Sequence, residues 1–223
     1  MENLENKETV ERSTASETAT APETPTATPE VAQLTVKSEY DNYSLLCYLA
    51  IFTSLVALSH DLEPFHMNLG KITRIRWCVG WIPEWLQIII DIVIYPIIWL
   101  KLASIAKRMK VNAVAFKAFA GIEIVYGLLL LCLGEDSILV SLLALIGLAL
   151  YFVAGIQAFR GFSKSVGLVM MLTPVVVFFV SILVGVIFEA EWLVYILFFI
   201  YEFYTLRVIA SFFSSDKPLP AEE

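Results

Sequence analysis

Six long apolar runs constrain this chain more than any other feature. They are Tyr43–Ser59, Ile82–Leu100, Phe119–Leu133, Ile138–Phe159, Gly167–Phe188 and Trp192–Phe213. Each is too long and too continuously apolar for an ordinary strand. Most reach the ~20 residues that carry a helix across a bilayer. The third run is short for a span, so its helix is expected to begin earlier, near Val114. A water-soluble fold has to cover its exterior with polar groups, and soluble domains carry roughly 25% charged residues. Here 58% of the residues are hydrophobic and only 17% are charged. The sequence therefore predicts an all-α, polytopic transmembrane helix bundle of about six spans over residues 41–213, with a short tail at 214–223.

The formal charge of −7 belongs almost entirely to the N-terminus. Residues 1–41 hold nine acidic and three basic residues, and the remainder is close to neutral. Residues 1–40 are rich in Thr, Glu, Ala and Pro, with no aromatic residue before Tyr40. Such a stretch buries too little apolar area to offset its chain entropy, so disorder is expected there. It lacks the basic start and apolar core of a signal peptide, which leaves targeting to the first span. No basic face points to nucleic acid.

The links between spans alternate in charge. Lys101, Lys107, Arg108, Lys110 and Lys117 surround the link after the second run, and Arg160 and Lys164 follow the fourth. Glu135 and Asp136 follow the third, and Glu189 and Glu191 the fifth. The positive-inside bias places the basic links and both termini in the cytoplasm. In a bacterium the membrane would then be the inner one. Lys71, Arg74 and Arg76 break the alternation, because six spans place them outside. A five-span alternative makes residues 82–100 re-entrant or interfacial and moves the N-terminus outside. The spacing of Trp81 and Trp85 from Trp99 suits two interfacial belts and favours crossing.

Ionisable residues at membrane depth are costly and are the default functional candidates. Asp91 and Glu202 lie near mid-span, and Glu123 and Arg207 in the inner thirds of their runs. Glu84, Gln87 and Asp91 fall at i, i+3 and i+7 on one helical face, which Tyr95 extends. Two arrangements are expected. Glu123 and Arg207 form a buried pair. Asp91 and Glu202 converge away from lipid and disfavour each other's ionisation, so that one stays protonated near neutral pH, as a proton or cation relay requires. Polar contacts between spans also serve simply as packing glue.

Other signals are weaker. Ser137, Ser141, Ala144, Gly155 and Ala158 give the fourth run a small-residue face, suited to close packing or to a homo-oligomer seam. His60, Asp61, Glu63 and His66 cluster after the first run, but their spacing matches no metal motif. Cys47, Cys78 and Cys132 show no paired spacing. Phosphate-loop, zinc-protease, hydrolase-elbow and kinase motifs are all missing from the sequence. No enzyme activity, metal or cofactor is expected. The composition points to a membrane component that acts through contacts with a membrane-protein partner or a second copy. A small proton- or cation-linked transporter using Asp91, Glu123 and Glu202 is the alternative.

Overall fold

The computed structural model describes residues 34–62, 82–134, 137–187 and 191–220. One short helix precedes six long ones: α1 Val36–Tyr40, α2 Asn42–Asp61, α3 Glu84–Arg108, α4 Val114–Leu133, α5 Ile138–Gly161, α6 Lys164–Val180 and α7 Glu191–Phe213. Helix α6 continues as a π-wound stretch, Ser181–Ile187. All six long helices are apolar and long enough to cross a bilayer. The chain is therefore a multi-pass integral membrane protein. Helix α4 begins at Val114, as its length requires. Helix α3 runs unbroken for 25 residues, roughly 37 Å. That length fits a crossing rather than a re-entrant loop.

Each long helix packs on its neighbours in sequence, and α7 closes on α2, so the six form a ring. The links from α3 through α7 are short and make those neighbours antiparallel, and Tyr43 at the start of α2 packs on Phe213 at the end of α7. One end of the ring therefore gathers the starts of α2, α4 and α6 with the ends of α3, α5 and α7. That end carries Lys107, Lys110, Lys117, Arg160 and Lys164, the basic links of the sequence.

The same end holds the apolar core. Ile98, Leu102, Ile105, Phe116, Phe162 and Phe213 are fully buried there. Toward the opposite end, α6 beyond Met170 and the described side chains of α7 before Thr205 include no fully buried residue. The outward faces are heavily apolar: Ile138 is 85% exposed and Leu45 71%. Water would not tolerate such a surface, and hydrocarbon would.

The expected disorder of the acidic tail lies outside the described residues as far as position 33. Residues 34–40 depart from it. Thr35 caps α1 through a reciprocal pair of hydrogen bonds with Ser38. Val36 is fully buried and donates its N–H to the Lys217 carbonyl (2.9 Å). Leu219 donates to the Leu34 carbonyl (2.7 Å). Glu39 pairs with Arg108 at the end of α3, and Tyr40 rests 6.5 Å from the Phe213 ring. Val36 and Tyr40 are both buried, and with Tyr43 just beyond they supply the large apolar side chains that are scarce in the Thr/Glu/Pro sequence before them.

Only part of the expected small-residue face of α5 is used within the ring, since Ser141 and Ala144 are exposed. Gly155 and Ala158 are buried, and Gly155 lies against Met170 and Met171 of α6. Gly147 lies against Ile122 and Phe119 of α4. Close backbone approach of this kind is what small residues permit in lipid.

Candidate functional site

The ring encloses a cavity of about 540 Å³ to which all six long helices contribute. Its closed end is aromatic. Trp99, Phe119 and Tyr151 meet edge-to-face, with ring centroids 5.0–5.2 Å apart. This arrangement satisfies the ring quadrupoles and forms a dense plug above the apolar core. From that plug the cavity extends toward the acidic links, as far as Gln87, Leu130 and Leu143.

Helix α3 supplies one wall. Gln87, Asp91, Tyr95 and Trp99 follow one another at four-residue steps, so they form one stripe. The Gln87 amide donates to Asp91 Oδ2. Tyr95 donates its hydroxyl proton to Glu202 Oε1 on α7. Ser54 of α2 lies 2.9 Å from the same hydroxyl. Glu123 reaches the cavity from α4. Three carboxylates from three helices thus face one space. No Lys, Arg or His lines it among the described residues.

Several polar atoms in this wall have no protein partner. Asp91 Oδ1, Trp99 Nε1 and Thr205 Oγ1 are buried and unpartnered among the described residues. Trp99 is 3% exposed and Thr205 5%, so bulk water does not solvate them. An unmet buried hydrogen-bonding group costs about 1–3 kcal/mol. All three are packed within the wall and not open to the lumen itself.

Two prolines lie at the same depth. Pro96 is inside α3 and Pro174 inside α6. Each removes one rung of its helical ladder. Beside Pro174, Thr173 Oγ1 (3.0 Å) and Tyr201 Oη (2.6 Å) both donate to the Val169 carbonyl. Both bonds reinforce the rung beside the one that the proline removes, because the carbonyl left without its helical donor is that of Met170.

The structure gathers Asp91, Glu123, Glu202 and Gln87 around this cavity and excludes Glu84 and Arg207. Glu84 is exposed in the first turn of α3, where a negative charge complements the helix dipole. Arg207 is exposed on the outer face, and no salt bridge joins it to Glu123. The expected pair is absent because Arg207 follows Leu206, the last cavity residue of α7, and one helical step of 100° turns it outward. An arginine near a helix end can carry its guanidinium to the interface along an apolar stem. Trp99 also departs from expectation: it is a buried cavity residue rather than an interfacial anchor. Trp85 is 57% exposed, and Trp81 lies outside the described residues.

Sequence reasoning did not identify Trp99, Tyr126, Tyr151, Tyr201 and Thr205 as site residues. The four-residue steps from Gln87 to Trp99 could have extended the α3 stripe by one turn. The others carry no signal, because a tyrosine or threonine in a span faces lipid or lumen according to packing alone. His60 Nε2 lies 3.0 Å from the Ile82 carbonyl. Glu63 and His66 are outside the described residues. Among the described residues no three His, Cys, Asp or Glu side chains are grouped closely enough to hold a metal ion. No family model, curated protein or solved structure matches this chain.

Proposed function

We propose that this protein is a small membrane carrier that binds a cation, or a cation in exchange for protons, on Asp91, Glu123 and Glu202. One observation carries the reading: three acidic side chains from α3, α4 and α7 share one lumen with no basic residue in its wall among the described residues. Packing glue would pair such groups with each other or with the backbone, and would leave no roomy cavity between them. This favours transport over the partner-contact role that composition alone suggests. The aromatic plug closes the lumen toward the basic end, and the basic end with both termini faces the cytoplasm. In this state the lumen is reached from the opposite side.

The test is proton and rubidium flux into proteoliposomes under an imposed potassium diffusion potential, with an entrapped pH dye and radioactive rubidium as reporters. Wild-type protein is expected to exceed empty liposomes. Asp91→Asn and Glu202→Gln should abolish the excess while keeping the wild-type elution profile in detergent. Arg207→Gln should retain it. Equal flux in all four proteins, or none above empty liposomes, overturns the proposal.

A further inference from the structure

We infer that the cavity takes an amphiphilic organic cation, a protonated amine on a ring-bearing apolar body, in preference to a bare inorganic ion. The inference deepens the carrier reading and rests on its choice of cavity. Three observations select the ligand class. First, the volume of about 540 Å³ falls in the range that accommodates drug-sized molecules and far exceeds what a dehydrated ion needs. Secondly, the carboxylates stand apart around the wall and make no metal-sized cluster among the described residues. Hard divalent cations require several oxygens about one point. Spread carboxylates suit a charge that sits at one end of a larger body. Thirdly, the remaining wall is strongly aromatic. Tyr95, Trp99, Phe119, Tyr126, Tyr151 and Tyr201 all line it. Aromatic faces attract desolvated ammonium groups and also pack against apolar rings.

Charge and ring thus specify the chemistry, and the carboxylates and aromatic side chains of the wall specify where each part binds.

Propranolol combines these elements: a secondary amine protonated at neutral pH and a fluorescent naphthyl ring. Naphthoxyacetate keeps the ring and ether but reverses the charge. Equilibrium dialysis of the full-length protein in detergent, with empty micelles subtracted, measures both by naphthyl fluorescence. Saturable one-to-one binding of propranolol is expected, with none of naphthoxyacetate. Glu123→Gln and Tyr126→Leu should each weaken it at least tenfold, and excess rubidium or manganese should not displace it. Glu123 makes no hydrogen bond to another described side chain here, so its neutral isostere should leave the ring intact. Binding of both probes alike, or unchanged binding in both variants, overturns the inference. Carboxylate-dependent rubidium or proton flux without propranolol binding removes the organic ligand and leaves the carrier standing. Propranolol binding without flux in any condition keeps the ligand class and removes the carrier.

Discussion

Substituting Gly155 by alanine tests the packing that holds the ring together. A Cβ at this position would lie 2.8 Å from the Met171 backbone nitrogen, 2.9 Å from Met170 Cβ and 3.0 Å from Met171 Cγ. Carbon atoms pack best at about 3.5–4.0 Å, so α6 has to retreat by about 0.7 Å. The obstacle includes backbone, which cannot swing aside as a side-chain terminus can. Overpacking of this kind typically costs about 1–3 kcal/mol. Alanine also improves helix propensity by roughly 0.5–1 kcal/mol, which obscures the cost in a single variant. Gly121→Ala supplies the control. It lies mid-helix in α4, and nothing stands within 4 Å of its added Cβ. The propensity gain cancels between the two variants, and their difference reports the clash alone. Reversible unfolding in mixed micelles, followed by far-ultraviolet circular dichroism, should place Gly155→Ala about 1–3 kcal/mol below Gly121→Ala. In equilibrium terms that is a gap of about 5-fold to 160-fold. Equal midpoints, or a more stable Gly155→Ala, would refute the close approach of α5 and α6.

Two further expectations follow from the basic end of the ring. Phe213 is fully buried against Tyr40 and Tyr43, so Phe213→Ala should destabilise by about 3–5 kcal/mol in the same assay. It should also increase proteolysis between α1 and α2, where loss of the ring releases Tyr40. Orientation is checked with single cysteines in a background lacking Cys47, Cys78 and Cys132. Ser137→Cys, at the acidic end, should react with an impermeant maleimide on intact cells. Asn112→Cys, in the basic link, should react only after permeabilisation; the reverse pattern would invert the topology and the proposed access side.

Much of the architecture was legible in the linear chain because hydrocarbon imposes a simple rule. A span has to be helical, long and apolar, and these demands fall on consecutive residues. Six runs, the early start of α4 near Val114 and the charge difference between links follow from that rule. The candidacy of Asp91, Glu123 and Glu202 follows as well, since ionisable groups at membrane depth are rare and expensive. Their arrangement does not. Whether a side chain faces lipid or lumen depends on the rotation of its helix within the ring, and apolar runs carry little periodicity to reveal it. Arg207 and Glu202 are five residues apart on α7, yet one faces outward and the other accepts from Tyr95. Trp99 fits an interfacial belt by spacing and a cavity plug by packing. Closure of α7 on α2 decided these cases, because it turned one face of every helix toward a common centre. The bilayer requirement was written residue by residue. The cavity arose only when six helices chose their neighbours.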